Sequence, residues 1–197
     1  VGGGYPILGH PSDGSLSPFS LPFLVLSPAW AARLNLVILL WLGGVGVFGL
    51  ARETLRLQSP AALAAGAAFV VSGWMPSFML AGFYVQSFLA LAPLALWLIV
   101  RRGGGWRSGI LAGLALVPIL LQSGNGILST GHWLAVAGLL LGGRMALRRL
   151  GVAAITLAAL GAAKWAALLD VLARGRYLHA EQSGYPFGTP SGAANCF

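Results

Sequence analysis

Six long apolar segments, separated by short polar stretches, dominate this sequence. They cover residues 34–51, 60–80, 82–100, 109–121, 126–143 and 151–170. About 20 mostly apolar residues are enough for a helix to cross a bilayer. Only 8% of the 197 residues are charged, against roughly a quarter in soluble domains. Because a soluble domain cannot cover its surface with so few charges, the sequence predicts an all-α, polytopic bundle of about six membrane-spanning helices.

The positions of the arginines predict how this bundle is oriented. Eight of the eleven follow the first, third or fifth apolar segment: Arg52, Arg56, Arg101, Arg102, Arg107, Arg144, Arg148 and Arg149. Basic residues concentrate in cytoplasmic loops, so these loops are predicted to face the cytoplasm across a bacterial inner membrane. The net charge of +8 then follows from topology, and a nucleic-acid-binding surface is excluded.

This topology divides the chain into three regions. Residues 1–33 form an outer-face loop, in which the apolar stretch 19–30 contains two prolines and is too short to span, so it is predicted to be re-entrant or interfacial. Residues 34–173 form the transmembrane bundle. Residues 174–197 form an extracytoplasmic polar tail, compatible with the start of a truncated outer region. The chain starts at Val1 without Met, and we expect it to be a piece of a longer protein.

Polar side chains concentrate on the predicted outer side. Three of the four carboxylates and all three histidines lie there. Ionisable residues near or within a membrane are costly and often functional, so this asymmetry predicts a functional site at the outer face. Phosphate-binding loops, dinucleotide fingerprints, H-E-x-x-H and C-x-x-C motifs do not occur, and the single cysteine, Cys196, cannot form an internal disulfide.

Two candidates for catalysis lie in the outer loop, in Gly9-His10-Pro11-Ser12-Asp13-Gly14. Asp13 is a candidate general base or metal ligand, and His10 is close enough in sequence to join the same site. The alternative is that Asp13 opens a turn with the following glycine and that His10 is an ordinary loop residue.

Three candidates for substrate binding lie on or beside the helices. Lys164, about six residues below the predicted outer end of the sixth helix, either snorkels to the interface beside Trp165 or faces a cavity and binds an anionic head group such as a phosphate. His132, predicted to open the fifth helix, is either a site residue or an interfacial polar residue. Trp74 either stacks on a sugar or lipid or anchors in the aromatic belt.

Several short motifs resemble a known family. The segment Gly2-Gly3-Gly4-Tyr5-Pro6 to Gly9-His10-Pro11 and Ser17-Pro18-Phe19 resembles the first outer loop of bacterial polytopic GT-C-like membrane glycosyltransferases, including the YfhO-like group. Gly49-Leu50-Ala51-Arg52, Ser72-Gly73-Trp74, Pro93-Leu94 and Ala163-Lys164 look similar to later motifs of that family. The resemblance covers most of residues 1–176, without the family's upstream helix and C-terminal part.

The resemblance implies transfer of a sugar from a polyprenyl-phosphate donor to an acceptor at the extracytoplasmic face. Asp13, or an acidic residue upstream of Val1, would deprotonate the acceptor hydroxyl. Lys164 or Arg174 would stabilise the phosphate leaving group. The implied partners are the lipid-linked donor and membrane lipid, and participation of a divalent cation is left open.

Two other functions are compatible with the same sequence. A transporter or permease subunit is favoured by the glycine-rich helices, Pro118 and the intramembrane Lys164, which fit a substrate path. A non-catalytic membrane protein is the other alternative.

Overall fold

The regular structure of this protein is helical wherever the chain is described. A computed structural model describes residues 16–80, 84–122 and 124–173, and within these ranges every regular element is a helix. This confirms the all-α prediction. His10, Asp13 and Arg174 lie outside the described residues, as do residues 1–15 of the outer loop and the whole polar tail.

The helices follow one another with very short connections. A 3₁₀ turn (Pro18–Ser20) and a one-turn helix α1 (Pro22–Val25) lead into α2 (Pro28–Gly49), which continues as a π-helical turn (Leu50–Thr54). Then come α3 (Ser59–Val71), α4 (Trp74–Leu80), a 3₁₀-helix (Tyr84–Leu91), α5 (Ala92–Val100), α6 (Gly105–Gln122), α7 (Gly124–Leu160) and α8 (Ala162–Ala173). Prolines occupy the first turns of α1, α2, α3 and α5, where the missing N–H costs nothing.

Helix α7 consists of two arms that meet at Gly143. Gly143 has φ 58° and ψ −145°, a backbone conformation open essentially to glycine alone. A Cβ placed on Gly138 would lie 3.9 Å from Cβ of Ala146. In a straight helix these two residues, eight apart, would be separated by about 12 Å along the axis. The chain therefore folds sharply back at Gly143, and the first arm (124–142) and second arm (144–160) are separate helices.

Glycines bring α2 against the segment that ends in α5. A Cβ on Gly43 would lie 2.5 Å from the carbonyl oxygen of Ala90, one on Gly46 would lie 2.6 Å from the carbonyl carbon of Pro93, and one on Gly49 would overlap the Trp97 ring. The paired residue numbers rise together, so α2 and α5 run parallel. Helix α3 packs antiparallel on another side of α2, where Gly44 and Gly66 face each other.

Helix α6 packs in the same close manner along the second arm of α7. A Cβ on Gly109 would lie 2.8 Å from Cβ of Val152, and one on Gly113 would lie 2.7 Å from Cβ of Thr156. These pairs also rise together, so the two helices are parallel. Side chains of α2, the 3₁₀-helix, α5 and α6 form an apolar core. It includes Leu39, Phe88, Ile99, Ile119 and Leu120.

These helix directions gather the eight loop arginines at one end of the bundle, which we call the basic end. The end of α2 lies beside Trp97, and the guanidinium of Arg149 donates hydrogen bonds to the carbonyl oxygens of Ile99 and Arg101. The arginine-bearing turns after α2, after α5 and at the Gly143 bend therefore meet. The remaining helix ends, at the start of α2 and of the 3₁₀-helix and at the end of α6, form the opposite end.

Fewer helices have spanning length than the sequence predicts. Within the described residues, two helices are long and apolar enough to cross a membrane, Pro28–Thr54 and Gly105–Gln122, with a shorter apolar helix at Ser87–Val100. The predicted second segment divides at Ser72, whose ψ of 134° is extended, and the third begins as a 3₁₀-helix. The count of about six spans stays a prediction.

The outside of the bundle is strongly apolar. Among the side chains that are at least 60% exposed are Trp30, Trp41, Trp106, Trp133 and Leu140, the last at 80%. Exposed apolar patches of this kind mark contact with a membrane or another protein. The burial pattern therefore agrees with the membrane association that the composition predicts.

The parallel packing of α2 on α5 generates a stability prediction. We expect Gly46→Ala to lower the free energy of unfolding by about 1–3 kcal/mol, because the added methyl group meets backbone atoms that cannot move aside. Gly151→Ala is the matched control, since nothing lies within 4 Å of a Cβ at residue 151 and alanine favours the helix. Thermal unfolding in detergent measures both, and equal midpoints for the two variants would contradict the close packing.

Candidate functional site

Three of the six predicted site residues can be placed. Lys164 lies in the first turn of α8, His132 lies on the first arm of α7, and Trp74 is the first residue of α4. The predictions for Asp13, His10 and Arg174 fall outside the described residues. The candidate site is therefore built from Lys164 and the polar groups buried at its end of the bundle.

Lys164 is buried, with 2% of its surface exposed. It follows Gly161, where the chain bends between α7 and α8, and a Cβ on Gly161 would overlap the side chain of Leu120 near the end of α6. The lysine therefore lies at the opposite end, directed into the protein. Burial of a cation in an apolar bundle is costly unless the cation is paired, and the choice between a cavity-facing and a snorkelling lysine stays a prediction.

His132 and Trp74 are on the surface. The His132 side chain is exposed, and that of Trp74 is 42% exposed. His132 does not open a helix as predicted, because the glycine-containing stretch from residue 124 is helical and places it about two turns into the first arm. Both positions suit residues facing lipid or an interface, and the burial of Lys164 sets it apart from them.

Other polar side chains are buried in the same half of the bundle. They are Asn35, Ser87, Gln122 and Thr130, each 7% exposed or less. The sequence pattern did not identify any of these four as a primary site residue. Asn35 carried the clearest signal, because an amide in the apolar run Leu34-Asn35-Leu36 has no reason to be there unless it is hydrogen-bonded.

Asn35 connects the entry segment to the bundle. Its Nδ2 donates a 2.7 Å hydrogen bond to the carbonyl oxygen of Phe19, and the Phe19 ring packs edge-on against Phe88 with centroids 5.1 Å apart. Residues beyond this anchor have exposed apolar side chains, such as Leu24 at 79% and Val25 at 82%. The arrangement fits the predicted interfacial segment, which is held at the opposite end and turns its apolar side outward.

Among the described residues, this end has a polar interior with one buried cation, Lys164. A buried ammonium provides up to three hydrogen-bond donors, and the amides and hydroxyls provide both donors and acceptors. This set suits an anionic, hydroxyl-bearing ligand. In the part of the chain that the structure describes, no three His, Cys, Asp or Glu residues lie close enough together to hold a metal ion.

Comparison with known proteins adds no identification to this geometry. No protein-family model matches the chain, and neither a curated protein nor a solved structure matches it.

The anchor at Asn35 generates a local prediction. We expect Asn35→Ala to lower the free energy of unfolding by about 1–3 kcal/mol, because the partly buried Phe19 carbonyl loses its donor, and to speed proteolytic cleavage near residues 16–26. Ser77→Ala is the control, since its 2.6 Å bond to the Gly73 carbonyl is exposed. Unchanged cleavage in Asn35→Ala, measured by limited proteolysis and mass spectrometry, would contradict the anchoring role.

Proposed function

We propose that this chain is the membrane-embedded part of a glycosyltransferase-like protein. It binds a polyprenyl-phosphate-linked sugar donor at the extracytoplasmic end of the bundle and transfers the sugar to an acceptor there. The burial of Lys164 at the end remote from the eight loop arginines is the observation that supports this best. The ammonium of Lys164 holds the donor phosphate, and an acidic residue of the outer loop, Asp13 or one preceding Val1, takes the acceptor proton.

The position of Lys164 suits an anionic lipid carrier in two ways. A phosphate attached to a long apolar chain is reached from within the bilayer, and the bundle offers an apolar exterior around this end. The leaving group of the reaction is the lipid phosphate, on which negative charge increases as the glycosidic bond breaks. A cation preorganised in a site with little water stabilises that charge more than it would in bulk water.

The proposed orientation predicts the labelling of the single cysteine. In intact cells that express the chain, we expect a membrane-impermeant maleimide to label Cys196, because the polar tail lies outside. A cysteine placed by Arg148→Cys in a Cys196→Ser background should react only after the membrane is permeabilised. Labelling of residue 148 from outside, with residue 196 protected, would overturn the orientation.

The proposed role of Lys164 predicts a loss of transfer. With the full-length protein in membranes and labelled polyprenyl-phosphate sugars, we expect Lys164→Met to lower the rate about 10- to 100-fold. This corresponds to loss of a charged hydrogen bond worth about 1.5–3 kcal/mol. Lys164→Arg should retain more activity, because it keeps a cation near the phosphate.

Two further variants keep this experiment interpretable. Arg33→Gln removes an exposed positive charge from α2 near the same end, where Arg33 stacks on Trp30 at 5.0 Å, and should leave the rate within about twofold. Asp13→Asn should abolish transfer if Asp13 is the base, whereas retained activity assigns the base to a residue upstream of Val1. No transfer by the wild type to any acceptor, alongside an active control enzyme, would contradict the proposed function.

A transporter or permease subunit is the second candidate, and Pro118, buried inside α6, favours it. Proline-interrupted helices line the substrate path of many transporters. Uptake of a solute by proteoliposomes that contain the full-length protein, without sugar transfer, would favour this function over the glycosyltransferase.

A further inference from the structure

A cavity lined by arginines lies at the basic end, remote from Lys164. It has a volume of about 530 Å³ and lies between the α5–α6 connection and the Gly143 bend. Three arginines line it, Arg101, Arg102 and Arg149, together with apolar side chains of Val100, Leu141 and Met145. Three cations on one cavity wall repel one another unless an anion lies between them.

Arg149 is the innermost of these arginines, with 6% of its surface exposed. Its Nη1 donates a 3.0 Å hydrogen bond to the carbonyl oxygen of Ile99 and another to that of Arg101. These carbonyls belong to the C-terminal end of α5, so Arg149 caps that helix. The neighbouring Arg148 and Arg144 are exposed, which distinguishes Arg149 from the rest of the arginine run.

The capping role uses only part of the Arg149 guanidinium. A guanidinium carries five N–H donors, and Nη1 supplies two of them. Nε of Arg149 is buried and has no hydrogen-bond partner within residues 16–80, 84–122 and 124–173. A buried donor of a charged group is costly when it stays unsatisfied, so the described protein groups leave part of this guanidinium unpaired.

Arg101 repeats this pattern on the same cavity. Its guanidinium lies over the Trp97 ring at 4.9 Å, which fixes its position, and its Nε is also buried without a partner among the described residues. Arg102 adds an exposed cation at the mouth. Gly105, which begins the 18-residue helix α6, also lines the cavity, so the positive end of that helix dipole is directed at the same space.

Few carboxylates accompany the arginines of the basic end along the sequence. The eight arginines that form it are accompanied in sequence by a single carboxylate, Glu53, because no other Asp or Glu occurs between residues 14 and 169. Arginines recognise tetrahedral phosphates through paired hydrogen bonds. Leu141 and Met145, which are 46% and 54% exposed, continue the cavity into an apolar surface where a lipid chain can lie.

We propose that this cavity binds a phosphate group, in the form of an anionic lipid head group or a soluble phosphate ester. Arg149 and Arg101 contact its oxygens from inside the bundle, and Arg102 closes the site from outside. The bound phosphate offsets the charge of the three arginines and links α5, α6 and the Gly143 bend. The site is separate from that of Lys164 and does not depend on the proposed glycosyltransferase function.

The experiment compares Arg102→Gln with Arg148→Gln in the detergent-solubilised full chain. Both variants remove one arginine from the basic end, but Arg148 is exposed and does not line the cavity. The midpoint of thermal unfolding is followed while phosphatidylglycerol, phosphatidylcholine or inorganic phosphate is added. We expect phosphatidylglycerol to raise the midpoint, with a half-effective concentration about tenfold higher for Arg102→Gln, or about 1.4 kcal/mol, and within about twofold of wild type for Arg148→Gln.

The ligand series identifies the source of the phosphate. Stabilisation by phosphatidylglycerol alone assigns the site to a lipid head group, whereas stabilisation by inorganic phosphate through the same arginine assigns it to a soluble ester. Arg149→Lys, which keeps the charge but removes the guanidinium, should weaken the response as well. Arg102→Gln tests the site even if Arg149→Lys folds poorly. Equal weakening of the response in Arg102→Gln and Arg148→Gln would overturn the proposal. So would the absence of any shift in the unfolding midpoint with both phosphatidylglycerol and inorganic phosphate.

Discussion

The close approach of α2 to the chain between Ala90 and Trp97 is the constraint on which the rest of the structure depends. At residues 43, 46 and 49 there is no room for a side chain, so backbone packs on backbone or ring along about two turns of helix. Membrane helices associate by this kind of packing because lipid provides no hydrophobic force between them. Once α2 and α5 are fixed in parallel, the turns that follow them share one end. Arg149 joins the second arm of α7 to that end through its hydrogen bonds to the last carbonyls of α5.

The buried polar groups of the described chain lie toward two ends, with an apolar core between them. Asn35, Ser87, Gln122 and Lys164 lie toward one end, and Ser108 and Arg149 lie at the other. Leu39, Ile99 and Leu120 separate the two groups. Each end therefore has its own chemistry: one cation among amides and hydroxyls at the first, and a cluster of guanidinium groups at the second. The two proposed sites can be tested, and can fail, independently.

The sequence predicted which helix ends carry the arginines, but it did not predict how individual side chains pack. The alternation of arginine-bearing and arginine-free turns correctly grouped Arg52, Arg101 and Arg149, because charge placement follows from hydropathy alone. It gave no reason to separate Arg149 from Arg148, since both follow the same apolar segment and only the packing of α5 buries one of them. Asn35 was overlooked for a similar reason, as its partner is a backbone carbonyl 16 residues away.

The sequence by itself determined an all-helical chain with an apolar exterior, because so few charged residues cannot surround a soluble domain and apolar segments of this length form helices. It also determined that the eight loop arginines lie at one end, since they occur in alternate turns. Only the tertiary structure decided where the helices break, at Ser72, Gly143 and Gly161, and which cations are buried. Those outcomes depend on contacts between residues distant in sequence: Gly46 against Pro93, Arg149 on the last carbonyls of α5, and Gly161 against Leu120.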